Sequence, residues 1–154
     1  MLRNSMLLYY YYEMAIYHLS MKPMSRSSGR SSVAAAAYRA AECLENERDG
    51  IVHNFSTRSG VEHAEIVLPA SAQHDWANSR PALWNAAEAS EKRKDARVAR
   101  EVEVALPAEL SSEQRLVLTR EFAQHLADRY GVAVDFAIHS PHGKTDVRNH
   151  MRTS

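Results

Sequence analysis

The sequence predicts an α+β domain in which a sheet is covered by helices on one face and open on the other. Three observations carry this. Strand-like and helix-like segments alternate along the chain in the order β, α, β, α, β, α, β. Two of the strands, Arg100–Leu106 and Val132–His139, share a design, with β-branched or aromatic residues on one face and ionisable residues on the other. A chain of 154 residues with 45% apolar and 25% charged side chains has room for one ordinary core.

The elements follow in order. Ala15 to Ser20 is short and rich in strand formers. Met21 to Ser32, with Pro23, Gly29 and five serines, has the composition of a loop. Ser31 or Ser32 can cap a helix through the alanine run Val33–Ala41, where intrinsic propensity is highest. Asn46 to Gly60 reads as polar and irregular, with turn signals at Asp49-Gly50 and Ser59-Gly60. Ala64–Leu68 is a strand stopped by Pro69, and Pro81 suits the first turn of a helix to about Ala96. In Arg100–Leu106 the residues Val102, Val104 and Leu106 share one face and Glu101 and Glu103 the other. Ser111 with Gln114 is a capping-box pair. Leu118, Phe122, Leu126 and Tyr130 then recur every four residues to a Gly131 stop. Val132–His139 is the last strand, and a polar tail follows.

Composition narrows the function classes. One cysteine, Cys43, excludes a disulfide scaffold and a CxxC zinc knuckle, and fits a reducing, cytoplasmic setting. No stretch reaches the roughly 18–20 apolar residues of a membrane-spanning helix. The four consecutive tyrosines at 9–12 follow no period, so residues 1–13 read as an extension ahead of a start at Met14. Nineteen basic and nineteen acidic side chains cancel, so any case for nucleic acid rests on a local patch. One exists. Between Ala15 and Ala40 lie Lys22, Arg26, Arg30 and Arg39 and no acidic residue. A cationic, serine-rich loop leading into a helix suits phosphate groups.

Three further features can carry chemistry. Glu101 and Glu103, at i and i+2 on a strand, point the same way about 6–7 Å apart. They can orient a histidine or approach a cation, and the same alternation also occurs on plain solvated sheet faces. His139 ends the following strand on the same side. Imidazole is a common metal ligand, but one histidine is not a site. Tyr38 lies on the alanine helix just after the basic loop, where a tyrosine among alanines is ordinarily a packing residue.

Taken together, these segments resemble a known family. Met14 to Pro23 (MAIYHLSMKP), Ser25 to Ser32 (SRSSGRSS) and Ala35 to Arg39 (AAAYR) resemble the opening of the MobA/MobL plasmid mobilisation relaxases. Arg100 to Leu110 (REVEVALPAEL) resembles that family's second signature, and Phe122 to Leu126 and Ala137 to His139 also match. The resemblance covers nearly everything after residue 13.

It implies a histidine–hydrophobe–histidine endonuclease fold, an antiparallel sheet with flanking helices. Tyr38 would be the nicking tyrosine, Glu101 and Glu103 the acidic pair and His139 the first metal histidine. Lys22, Arg26, Arg30 and Arg39 would contact DNA. The implied substrate is single-stranded plasmid transfer-origin DNA, the implied metal Mg²⁺ or Mn²⁺, and the implied partners are accessory mobilisation proteins, with no membrane. The family continues after Arg148-Asn149 with one residue and then His-x-His, where this chain has Met151 and Thr153; a shifted register starts on His150 and meets Arg152. On that ground residues 14–150 read as an incomplete relaxase domain and 151–154 as a tail. The last catalytic strand is then expected to be missing, metal weak or absent, and the chain inactive, with a non-catalytic DNA-binding remnant as the alternative.

Overall fold

A computed structural model describes residues 18–72 and 74–140, and the backbone of 149–153. The proposed extension 1–13, the start at Met14 and Arg148 lie outside the described residues. Seven strands and three helices are described: β1 (Leu19–Ser25), α1 (Ser32–Ala40), β2 (Cys43–Asn46), β3 (Ile51–Asn54), β4 (Val61–Val67), α2 (Arg80–Ser90), β5 (Arg97–Leu106), α3 (Ser112–Tyr130), β6 (Val134–His139) and β7 (Asn149–Thr153). Five strands form one sheet in the order β1-β5-β7-β6-β4, every neighbouring pair antiparallel. β2 and β3 make a separate hairpin.

Two expectations about the sheet are corrected. Its second face is not open. Alternation along β6 sends Val134, Phe136 and Ile138 one way and Asp135, Ala137 and His139 the other. α3 packs on the first side through Ala123 and Ala127, flanked by Leu116, Leu118, Phe122 and Leu126. α2 reaches the second side, where Arg80 and Trp84 bond Asp135, and α1 joins it in a core of Val33, Ala36, Ala37, Leu44 and Trp84. Helices therefore flank both faces, and every residue of β6 is buried. The last strand is also not missing. The polar segment Asn149–Thr153 lies between β5 and β6 and pairs with both. Polarity argued against a strand there, but a central position satisfies the backbone N–H and C=O groups on both sides, whatever the side chains.

Local signals give three helix boundaries. Ser31 caps α1 by accepting from the Ala34 N–H at 3.2 Å. Ser111 and Gln114 form the reciprocal capping box of α3, and Gly131 ends it with φ 63°. The buried row of α3 is Thr119, Ala123 and Ala127, while Tyr130, the last residue of the helix, is 63% exposed.

Elsewhere long-range contacts move the boundaries. β1 runs through Lys22, Pro23 and Met24, read as loop; it is an edge strand, the position in a sheet that tolerates proline. α2 ends at Ser90 rather than near Ala96, because Arg26 donates to the carbonyls of Glu88 and Glu91 that its last turn leaves free. The segment read as irregular holds the end of β2, all of β3 and a turn at Gly50 with φ 70°. Among the described residues no helix is long and apolar enough to cross a membrane.

Candidate functional site

The second face of the sheet, under α1, gathers most of the residues that the sequence singled out. Lys22 of β1 pairs in register with Glu101 of β5. Arg39, in the last turn of α1, turns inward until its side chain is 6% exposed, and its Nε stands 3.9 Å from Glu101 Oε1. Arg30, at the end of the loop and 55% exposed, brings Nη1 to 3.9 Å from Glu101 Oε2. Glu101 is thus a half-buried carboxylate approached by two guanidinium groups, from the loop and from α1. Such a cluster holds the loop, the helix end and the strand together while leaving net positive charge facing outward at Arg30 and Lys22.

Glu103 is half-buried two residues further along β5, opposite Ser20. His139 closes β6 and is 7% exposed. β7 stands between their strands and pairs with both. His150 pairs with His139 on one side and Ala105 on the other; Arg152 pairs with Ala137 and Glu103. Met151 and Thr153 pair instead with Ile138 and Phe136, whose ranks belong to the α3 side. The ranks of the candidate site are therefore held at positions 150 and 152. Among the described residues no three His, Cys, Asp or Glu side chains gather into a group able to hold a metal ion. His139, Glu101 and Glu103 do not by themselves fit a divalent-metal centre.

Two sequence candidates stand apart from this face. Arg26 is drawn away from solvent: its Nε donates to Glu88 Oε2 at 2.9 Å, with side-chain exposures of 8% and 1%. Burial alone would raise the Glu88 pKa, but the Ser32 hydroxyl and N–H, with Arg26, outweigh it and hold the carboxyl below its ordinary range. Arg26 thus serves to set the loop, with its guanidinium fully engaged. Tyr38, next to inward-facing Arg39, points outward at 40% exposure. Its ring is met edge-on by Phe55, with centroids 5.3 Å apart at 89°. Arg58 covers its face, 3.8 Å from the centroid. Sequence reasoning missed Phe55 and Arg58, because only the fold of the β2–β3 hairpin against α1 brings them to the tyrosine.

Comparison with known proteins agrees with this geometry. The chain is 51% identical over 133 residues to "Mobilization protein MobL" of Acidithiobacillus ferridurans, covering 86% of this chain and 34% of that protein. It is 38% identical over 151 residues to "Conjugal transfer protein TraA" of Rhizobium radiobacter, covering 92% of this chain and 14% of that one. The chain thus spans about a third of the length of the first of these relatives and about a seventh of the second. A solved structure described as "Molecular Basis of Vancomycin Resistance Transfer in Staphylococcus aureus" superposes with a TM-score of 0.81 at 30% identity, over 90% of this chain and 69% of that one. The MobA/MobL family pattern itself matches residues 30–152, from the end of the basic loop to the strand between β5 and β6. The shared fold, the aligned relatives and that match have one meaning: this chain belongs to the MobA/MobL family.

Proposed function

We propose that this chain is the nicking domain of a plasmid mobilisation relaxase, which holds single-stranded transfer-origin DNA against Tyr38. The observation that carries this is the split at the end of α1. Tyr38 faces outward and accessible, while Arg39 beside it is buried against Glu101 and so locks the helix end to the sheet. A nucleophile needs such exposure together with a fixed base. Lys22 and Arg30, both exposed on the neighbouring sheet face beside Glu101, suit a phosphate backbone.

In the reaction the Tyr38 phenol oxygen attacks the scissile phosphorus and the bond from phosphorus to the 3′ oxygen breaks. The phenol proton passes to solvent or a nearby base, and the departing 3′ oxygen takes up a proton. A covalent tyrosyl 5′-phosphate and a free 3′ hydroxyl result. The single covalent exchange conserves the phosphodiester for rejoining. Such a domain works in the cytoplasm with accessory mobilisation proteins and needs no membrane.

With Arg152 where a second strand histidine would complete the donor set, Mg²⁺ or Mn²⁺ is held weakly or not at all, and nicking by the chain as it stands is expected to be undetectable. Hard divalent ions left largely to water bind loosely. Calorimetry with Mn²⁺ is expected to give no stoichiometric site in this chain and a clear one in Arg152→His. A tight site already present and lost in His139→Ala would overturn that.

The function is tested with Arg152→His, oligonucleotides tiling the plasmid's transfer origin, and Mn²⁺. A covalent protein–DNA adduct is expected, and Arg152→His/Tyr38→Phe should form none. An adduct that persists without the Tyr38 hydroxyl sinks the assignment of the nucleophile. Salt-sensitive binding with no adduct in any variant leaves the second reading, a non-catalytic DNA-binding domain, which the exposed charge of Lys22 and Arg30 equally supports.

A further inference from the structure

Arg58 lies in the turn after β3, in a stretch that carries no sequence signal of function. Its guanidinium carbon sits 3.8 Å above the centre of the Tyr38 ring, and its Nη1 donates to the Tyr38 carbonyl at 2.7 Å. The turn that presents it is firmly made. The Phe55 N–H donates to Glu42 O at 3.0 Å and the Arg58 N–H to Phe55 O at 2.9 Å. The Ser56 N–H and hydroxyl donate to Asn54 Oδ1 at 3.1 and 2.7 Å.

The ion pairing of Arg58 differs from that of its neighbours. Arg26, Arg39 and Arg80 each stand beside a carboxylate. Among the described residues Arg58 has no carboxylate partner, and the Tyr38 carbonyl takes only one of its donors. Nε and Nη2 are left over, on a half-buried cation whose orientation is set by a ring and a carbonyl. Any group that reaches the Tyr38 hydroxyl comes alongside this guanidinium.

We propose that Arg58 is a phosphate-binding residue, and that with the Tyr38 ring as its platform it grips one backbone phosphate of a nucleic-acid single strand next to the Tyr38 hydroxyl. The inference rests on the nicking-domain reading and deepens it. A guanidinium offers two parallel donors to a phosphate, which a lysine cannot match. Stacking on the ring fixes the fork before the strand arrives, so little side-chain freedom is lost on binding.

The test is binding of a labelled single-stranded transfer-origin oligonucleotide to the full chain, followed by anisotropy across a series of NaCl concentrations. Arg58→Gln should flatten the plot of log affinity against log salt by about 0.7, the contribution of one phosphate contact on a single strand. Arg58→Lys should keep the slope. Methylphosphonate is then placed at one linkage at a time. One linkage should weaken the unaltered chain severalfold and leave Arg58→Gln indifferent. A lowered unfolding temperature in Arg58→Gln with the full salt slope would mean that Arg58 only caps α1, and overturns the proposal. So would linkage effects that are the same in both proteins at every position. Absence of salt-dependent binding by the unaltered chain would instead remove the nicking-domain reading, and this inference with it.

Discussion

Asp135→Ala is expected to destabilise the domain by about 3–5 kcal/mol, the range for leaving one buried charge of a pair uncompensated. Asp135 accepts from Arg80 Nε and Nη2, both at 2.8 Å, and from Trp84 Nε1 at 2.8 Å. All three residues are less than a tenth exposed. Burial disfavours the Arg80 charge, yet the bonds and charge of Asp135, aided by Glu42, outweigh it and hold the guanidinium pKa above its ordinary value. With Asp135 gone, Glu42 alone faces that charge and the indole N–H loses its acceptor. Domain stabilities are only about 5–15 kcal/mol, so the unfolding temperature should fall by on the order of 10 °C. Arg80→Met in the Asp135→Ala background should recover much of the loss, because the stranded charge is then gone. An unfolding temperature that does not move would show the network to be dispensable. The consequence reaches the site, since Asp135 and His139 share one face of β6 and α2 docks on it through Asp135.

Glu88→Ala should be comparably severe, and it acts on the basic loop. Glu88 is 1% exposed on α2 and accepts from Arg26 Nε at 2.9 Å, the Ser32 N–H at 3.0 Å and the Ser32 hydroxyl at 2.6 Å; Arg48 Nε approaches to 3.5 Å. The carboxylate thus ties together the start of the loop, the first turn of α1 and the end of α2. Its removal leaves the buried Arg26 guanidinium without its counter-charge and the Ser32 hydroxyl without its acceptor, at about 3–5 kcal/mol, and loosens the segment from Arg26 to Arg30. The pH dependence has a definite sign. The folded pKa lies below the unfolded value of 4.5, so the stabilisation is fully present above about 4.5 and is lost as pH falls through the lower folded value. Denaturant unfolding between pH 7 and pH 3 should show that acid loss in the unaltered chain and a flatter profile in Glu88→Gln. Identical acid limbs in the two proteins would refute the assignment.

The parts of the fold that were legible in sequence have local causes. The capping box at Ser111 and Gln114, the Ser31 cap, the Gly131 stop and the alternation of β5 all depend on residues within one turn or one pleat of each other. The candidate residues Tyr38, Glu101, Glu103 and His139 belong to such segments, and their faces follow from strand and helix periods. β2 and β3 have four residues each, too few to display a period. Arg26 and Arg30 look alike in sequence, four residues apart in one loop. One is buried on Glu88 of α2 and the other reaches solvent beside Glu101 of β5.

The sequence by itself thus determined the α+β class, three helices and the caps of two of them, the strand that presents Glu101 and Glu103, and the resemblance that the family match bears out. Only the tertiary structure decided that helices cover both faces of the sheet, that Asn149–Thr153 is its central strand, that residues 150 and 152 stand in the ranks of the site, and that Arg58 lies on Tyr38. The physical reason is the range of the forces concerned. Caps and periodicities arise between near neighbours in the chain, so composition and spacing record them. A central strand is held by backbone hydrogen bonds that any side chain permits, and an arginine's role is set by whichever carboxylate, carbonyl or ring the folded chain brings to it, many residues away.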